Sequence, residues 1–353
     1  MTVVRVLIVD DSLSVRAVLR RFLSRAPDLE VVGEAEDGAA AVEAAAALGP
    51  DVILMDLQMP VVDGYTAIER IMAHRPTPIV VLSSLANRDA MTTGFEAIRR
   101  GALEVLPKPE DPASWEQLAA SLAATVRELA GAALAPARSA AMPAPSAGTR
   151  RAPAPPAALS PNDLRWIAVG ASTGGPAALR ELLAELPPDP PVTVLVVQHI
   201  AAGFELGFAD WLARELRADV RLAQDGETPR AGAVRIARAG AHLLLEPDGA
   251  LRLDAQRPPR AGHRPSIDEL FLSCAASCPR QTAGVLLTGM GQDGAEGLLA
   301  LRQAGGLTMA QDEASAVVFG MPRVALERGA AELALPPREL GRTLARAWQR
   351  VAV

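Results

Sequence analysis

The chain has 353 residues, of which half are hydrophobic and 22% are charged, and its formal net charge is −6. Because this length exceeds what one hydrophobic core usually supports, we expect two domains. An acidic chain without a basic block is not expected to bind nucleic acid, and it contains no apolar run of about 20 residues that would insert into a membrane. The N-terminus enters a strand-like run without a secretory signal pattern, so we expect a soluble, cytoplasmic protein.

The first 125 residues alternate short apolar runs with amphipathic segments. The predicted strands are 3–9, 31–34, 52–56, 78–83 and 102–106, and the predicted helices include 12–25, 38–48, 64–74 and 112–129. Repeated strand–helix units of this kind predict an α/β domain with a parallel, doubly wound sheet.

Acidic and polar residues follow the predicted strands of this sheet. Asp10 and Asp11 end the first strand, Asp56 the third, Ser83 the fourth and Lys108 the fifth. If the strand order is 2-1-3-4-5, the three carboxylates converge at one edge, where Mg²⁺ would relieve their repulsion. A carboxylate between Mg²⁺ and a lysine is suited to attack phosphorus. Taken singly, each residue also fits a helix cap, a turn or a solvated charge.

The motifs of this segment resemble those of the receiver domain of bacterial response regulators. They are V-D-D at 9–11, D-x-x-M-P-x-x-D-G at 56–64, Ser83, and K-P at 108–109. The resemblance implies a flavodoxin-like, five-stranded fold in which Asp56 accepts a phosphoryl group from a histidine kinase. It further implies that Asp10 and Asp11 hold Mg²⁺ with Asp56, and that Ser83 and Lys108 contact the phosphoryl oxygens.

Two details follow from the same resemblance. Receivers often have a cis bond after the lysine, so a cis Lys108–Pro109 bond is expected. Many receivers place an aromatic residue three positions before the lysine, where this chain has Val105. An aromatic rotamer switch is therefore not expected here.

The segment that follows is rich in Ala and Pro, without an acidic residue or an apolar period between 131 and 161. It predicts a semi-extended linker, which we place at 126–162, between a receiver domain at 1–125 and a catalytic domain at 163–353. Such a linker does not hold the domains together, so docking between them must come from their own surfaces.

The last domain returns to strand–helix alternation. Strands are predicted at 166–169, 193–198, 219–222 and 283–288, and helices at 176–186, 205–217 and 294–304. Residues 242–253 contain two β runs around Asp248-Gly249, which predicts a hairpin. The domain is thus α/β and doubly wound, with an antiparallel excursion.

The stretch G-A-S-T-G-G at 170–175 joins the first of these strands to a helix. It lacks the lysine of a phosphate loop and matches G-x-S-x-G, which exposes a serine nucleophile. A nucleophilic Ser172 and a phosphate-binding or structural turn both remain open at this point. His199 follows a strong strand and would be the base, and Asp293 would orient it. Asp293 and Glu296 also form a capping box, a role that does not exclude the first.

The other candidate residues are less specific. His242 precedes a hairpin strand, and we expect a structural role for it. His263 and Arg264 either line a substrate cleft or stabilise a loop.

Residues 163–353 resemble the catalytic domain of the chemotaxis protein-glutamate methylesterases, the CheB family. The matching motifs are G-A-S-T-G-G, Q-H at 198–199, H-R-P-S-I-D at 263–268, T-G-M-G-Q-D-G at 288–294 and F-G-M-P at 319–322. The resemblance implies Ser172 as nucleophile, His199 as general base then acid, and Asp293 as the orienting acid. It also implies an oxyanion hole formed by the backbone N–H groups of Thr173 and Met290, with no cofactor for this domain.

The implied function is hydrolysis of glutamate γ-methyl esters, with deamidation of glutamines, on methyl-accepting chemoreceptors. This reaction serves adaptation in a two-component chemosensory pathway. We expect the unphosphorylated receiver to cover the catalytic cleft and phosphorylation to uncover it. Two other functions fit parts of the pattern: a catalytically silent module that binds a receptor, and a hydrolase of small esters.

Overall fold

The computed structural model describes residues 3–83, 88–109, 111–130 and 164–349. They form two α/β domains, each built on its own parallel sheet. In this part of the chain, no helix is both long and apolar enough to cross a bilayer.

The N-terminal domain has a five-stranded parallel sheet in the order β2-β1-β3-β4-β5, as predicted. Its strands are β1 (Val4–Val9), β2 (Leu29–Ala35), β3 (Val52–Asp56), β4 (Ile79–Ser83) and β5 (Glu104–Pro107). Its helices are α1 (Leu13–Leu23), α2 (Gly38–Leu48), α3 (Gly64–His74), α4 (Arg88–Arg100) and α5 (Pro112–Ala130). The central strands β3 and β4 are buried along their whole length, because helices cover both faces of the sheet.

Helix α5 ends at Ala130, so the predicted linker overlaps it over residues 126–130. Val126 and Leu129 are fully buried against the core of this domain, which explains why the helix continues there. The rest of the predicted linker, from residue 131 onward, lies outside the described residues.

The C-terminal domain has a seven-stranded parallel sheet in the order β14-β13-β12-β6-β7-β9-β8. Its strands are β6 (Trp166–Ala171), β7 (Thr193–Gln198), β8 (Val220–Leu222), β9 (Val234–Ile236), β12 (Thr282–Leu286), β13 (Leu307–Gln311) and β14 (Leu333–Leu335). Its helices are α6 (Gly175–Leu183), α7 (Phe204–Leu216), α8 (Ile267–Ser277), α9 (Ala295–Gln303), α10 (Met321–Glu327) and α11 (Pro337–Gln349). The predicted hairpin is formed by β10 (His242–Leu245) and β11 (Leu251–Asp254).

The chain runs outward from β6 in both directions, to β7 on one side and later to β12 on the other. In an open α/β sheet, such a reversal of strand order leaves a crevice at the carboxyl ends of the strands. We therefore look for the site at the ends of β12, β6 and β7.

The two domains pack directly on each other. Phe95 on α4 lies against Phe204, Phe208 and Trp211 of α7, with ring centroids 6.2, 5.4 and 5.9 Å away. Phe95 is 1% exposed, so its ring is buried in this contact. Helix α4 was not delimited from the sequence, and it carries Phe95, an apolar anchor between the domains.

Candidate active site

An acidic cluster lies at the carboxyl edge of the N-terminal sheet. Carboxylate oxygens of Asp10, Asp11 and Asp56 lie within 4.8 Å of one another. Lys108 Nζ lies 2.7 Å from Asp10 Oδ2 and 2.9 Å from Asp56 Oδ2. Burial raises the pKa of Asp10, and the neighbouring lysine opposes that effect. Three hard oxygen donors in one small space suit Mg²⁺, so the residues fit the predicted ion.

Ser83 completes this edge at the end of β4, where its carbonyl accepts a hydrogen bond of 2.7 Å from the N–H of Lys108. Its hydroxyl faces α4 closely, because a Cβ placed on Gly94 would lie 3.0 Å from Ser83 Oγ. The expected cis Lys108–Pro109 bond was wrong: the cis bond in the described residues is Arg264–Pro265. Trans is the intrinsically preferred isomer, and Lys108 already reaches both carboxylates with it.

Ser172 lies in a tight turn between β6 and α6. Gly174 begins the helix with φ +75°, a conformation that favours glycine. A Cβ on Gly175 would collide with Gln198 Oε1, so the turn needs glycine at this position to approach β7. The turn brings Ser172 to the carboxyl end of the sheet.

His199 and Asp293 lie at the ends of the strands that flank β6. His199 directly follows β7, and Asp293 ends the loop after β12. His199 Nε2 lies 3.0 Å from Asp293 Oδ2. His199 Nδ1 is buried and has no hydrogen-bond partner among the described residues. Ser172 and His199 line one cleft of about 1070 Å³, and Nδ1 is the ring nitrogen of His199 that Asp293 does not occupy.

Asp293 is held by a ring of donors. Its carboxylate accepts hydrogen bonds from Ser266 Oγ at 2.8 Å and from the backbone N–H groups of Ile267 and Asp268 at 2.8 and 3.0 Å. Although burial opposes ionisation, His199 and the two backbone N–H groups lower the pKa of Asp293 to about 2. The carboxylate is therefore ionised and fixed.

The alternative capping role of Asp293 does not appear at α9. The helix has Gly294 as its N-cap and no side-chain cap hydrogen bond. Asp293 instead binds the first N–H groups of α8, through the segment that follows the cis Arg264–Pro265 bond.

Comparison with known proteins agrees with this geometry. The profile of the CheB methylesterase family matches residues 167–344, and that of the response regulator receiver domain matches residues 6–120. The chain belongs to the CheB methylesterase family. A protein-glutamate methylesterase/protein-glutamine glutaminase of Anaeromyxobacter dehalogenans is 46% identical over 97% of this chain and 96% of its own length. One of Geobacter metallireducens is 42% identical over 95% and 96%.

The C-terminal domain also has a similar solved structure. The crystal structure of the Thermotoga maritima CheB methylesterase catalytic domain is 34% identical, with a TM-score of 0.50. The match covers 52% of this chain and 98% of that chain. The two domains are accordingly an N-terminal receiver and a C-terminal methylesterase domain.

The remaining predicted residues of the methylesterase domain divide into two groups. His263 lines the cleft, where its ring stacks on that of His199 with centroids 3.8 Å apart. Thr173 lines the same cleft. Met290 is 53% exposed and follows Gly289, where an added Cβ would lie only 2.6 Å from Ser172 Cβ. Arg264 instead donates to the carbonyls of Ala255 and Arg257.

His242 lies away from this cleft and has partners for both ring nitrogens. Its Nδ1 accepts a hydrogen bond from the N–H of Ser266, and its Nε2 lies 3.2 Å from the Pro258 carbonyl. A buried histidine satisfied in this way supports the segment that holds Asp293.

Sequence reasoning assigned no role to Gln198 of the Q-H motif, although its side chain ties the ends of β6 and β7 together. Its Nε2 donates to the carbonyls of Ser172 and His199, at 2.8 and 2.9 Å. The signal was available, since a polar residue ends a strand that is buried on both faces and directly precedes the histidine. Its partners, however, depend on the pairing of β6 with β7.

Proposed function

We propose that this protein is a phosphorylation-activated serine hydrolase that removes γ-methyl groups from glutamate residues of methyl-accepting chemoreceptors in the cytoplasm and deamidates glutamines. The observation that carries the proposal is the His199–Asp293 pair beside Ser172, in a domain of the CheB methylesterase family. The relatives of similar length bear the name protein-glutamate methylesterase/protein-glutamine glutaminase.

In the proposed reaction, Ser172 Oγ attacks the ester carbonyl while His199 Nδ1 takes the hydroxyl proton. Asp293 stabilises the imidazolium that forms. The backbone N–H groups of Thr173 and Met290 stabilise the tetrahedral oxyanion. Its collapse breaks the ester bond, and methanol leaves with the proton from His199.

Water then resolves the acyl-enzyme. His199 takes a proton from the attacking water, and the proton returns to Ser172 Oγ as the free glutamate is released. Deamidation follows the same steps with ammonia as the leaving group. His263, stacked on His199, would line the substrate cleft; Arg264 contributes to the loop behind it.

For the receiver, we propose that Asp56 accepts the phosphoryl group of a chemosensory histidine kinase. Asp10, Asp11 and Asp56 would hold Mg²⁺, which neutralises charge on the phosphoryl oxygens. Lys108 and Ser83 would contact those oxygens. Because the receiver packs on α7 beside the cleft, its release on phosphorylation would admit the receptor helix.

The test is methanol release from radiolabelled, methylated receptor membranes, with and without Mg²⁺ and a small phosphodonor. We expect release that requires Ser172 and rises only when Asp56 is available. The variants Ser172→Ala and Asp56→Ala test the two requirements separately. If a matched receptor gave no Ser172-dependent release, the domain would be a receptor-binding module; activity confined to short acyl esters would indicate a small-ester hydrolase.

A further inference from the structure

Two acidic side chains of the receiver lie against the turn that carries Ser172. Glu128 on α5 accepts a hydrogen bond of 3.1 Å from Thr173 Oγ1. Glu104 on β5 accepts a hydrogen bond from the backbone N–H of Gly174. Both carboxyl groups line the cleft that contains Ser172. We call Glu104 and Glu128 the acidic pair.

The turn attracts these groups because it opens a helix. The N-cap of α6 is Gly174, which has no side chain to accept from the first N–H groups of the helix. Unsatisfied N–H groups and the helix dipole favour an acceptor at this position. The acidic pair supplies this acceptor from the other domain. Glu128 of the pair thereby contacts Thr173, the residue next to the proposed nucleophile.

Among the described residues, no cation contributes to the electrostatics of Glu104. Glu104 is 8% exposed, and the neighbouring charge of Glu128 raises its pKa further. The only lysine of the cleft, Lys108, is paired with Asp10 and Asp56. The other titratable groups around the cleft in the described residues are Asp111 of the receiver and His199 and His263 of the methylesterase domain.

Burial and the neighbouring carboxylate therefore favour the protonated form of Glu104. They raise its pKa to about 8, against the opposing hydrogen bonds from the backbone N–H groups of Val105 and Gly174. Burial also raises the pKa of Glu128. Once the domains separate, water reaches both groups, and their pKa values return toward the usual range near 4.

We propose that the acidic pair makes docking of the receiver on the nucleophile turn proton-linked, with uptake of one proton at Glu104 when the domains close. This inference rests on the proposed function, because it concerns control of the same cleft. The closed arrangement is favoured at low pH, and the chain opens as the pH rises even without phosphorylation.

The sign and size follow from linkage. The closed form binds one proton more than the open form between the two pKa values of Glu104. The closed-to-open ratio therefore falls by up to about tenfold per pH unit as the pH rises toward 8, and it levels off above that. Below about pH 4 both forms are protonated, so the ratio is again constant.

The experiment follows hydrogen exchange of the Gly174 amide in the unphosphorylated full chain between pH 6 and 9, corrected for the intrinsic rate. The Ser172→Ala background makes this measurement independent of catalysis. We expect the protection factor of Gly174 to fall by about tenfold or more between pH 6 and 8. Glu104→Gln carries an amide that is neutral at every pH, so it should remain protected throughout and lose the dependence.

Two further variants separate the members of the pair. Glu128→Gln removes the like charge and should keep the dependence with a lower midpoint. Glu30→Gln, an exposed carboxylate on β2 far from the cleft, is the matched control and should behave as the parent chain. Equal dependence in the parent and in Glu104→Gln, or protection that does not change with pH in the parent, would overturn the proposal.

Methanol release gives a second readout. The ratio of phosphorylated to unphosphorylated rates should fall as the pH rises from 6 to 8, and this decline should be absent in Glu104→Gln. Any effect of pH on the chemical step itself enters both rates and cancels in the ratio. Failure of the proposed esterase would remove release at every pH but leave the exchange result intact, so the two failures are distinguishable.

Discussion

Replacing Asp293 by Asn tests the proposed catalytic unit most directly. Four donors converge on two carboxylate oxygens, whereas an amide offers one acceptor oxygen and turns an NH₂ group toward one of the donors. The imidazolium of His199 also loses its counter-charge. We expect kcat for methanol release to fall about 10⁴-fold, as for the equivalent change in other triads. Leaving a buried donor unpaired should also cost about 1–3 kcal/mol of the free energy of unfolding.

The pH dependence of stability gives a second measure. With its pKa lowered to about 2, ionised Asp293 stabilises the fold above about pH 4, and this contribution is lost as the pH falls from 4 to 2. It amounts to about 2 kcal/mol, which chemical denaturation should detect in the parent and not in Asp293→Asn.

The matched control is Asp268→Asn. Asp268 is a buried neighbour whose carboxylate accepts from the N–H of Gly297, and burial raises its pKa to about 6. An amide keeps an oxygen acceptor for the Gly297 N–H and leaves the His199–Asp293 contact in place, so we expect kcat within about tenfold of the parent. Similar losses of kcat in both variants would show that folding, and not the His199 contact, explains the effect, and would refute the assignment.

Three further predictions follow from the interface, the strand ends and the acidic cluster. Phe95→Ala removes a buried aromatic anchor, which typically weakens the free energy of docking by about 2–4 kcal/mol. Methanol release without phosphodonor should therefore rise severalfold, and further activation by phosphodonor should shrink. An unchanged basal rate would contradict the packing. Gln198→Glu leaves the carbonyls of Ser172 and His199 without their donor and adds a buried charge. We expect kcat to fall more in this variant than in Gln198→Ala. Equal values of kcat in the two variants would argue against a positioning role. Chelation of Mg²⁺ should abolish labelling of Asp56 by a small phosphodonor while basal methanol release persists, and labelling that survives chelation would exclude the ion.

Residues that follow parallel strands were predictable, because strand order alone brings their side chains together. For this reason Asp10, Asp56 and Lys108 meet at the carboxyl edge of the receiver sheet. His199 and Asp293 meet in the same way at the carboxyl edge of the methylesterase sheet. In both domains the local pattern gave strand, turn and helix, and the sheet topology supplied the long-range contact.

Contacts that depend on a partner surface were not predictable in the same way. Phe95 is the only aromatic residue of a largely polar helix, and only the position of α7 explains its burial. Asp293 was correctly placed at a helix start, but the helix it caps is α8, which is distant in sequence. In β5, an acidic residue stands at a fully buried strand position. A charged side chain in a buried strand indicates that another surface covers it, but it does not identify that surface.

Two separate contacts of the receiver with the methylesterase domain would respond to the two proposed inputs, phosphorylation and protonation. Ser83 Oγ, a proposed phosphoryl contact, faces Gly94, and the next residue along α4 is the anchor Phe95. Because Val105 cannot act as an aromatic switch, a shift of Ser83 toward a phosphoryl group acts on α4 itself. The acidic pair lies on β5 and α5 and touches the turn of Ser172 instead. In the proposed mechanism, phosphorylation would act on the aromatic anchor and protonation on the turn of Ser172. These two contacts share no residue, so their effects on opening should add.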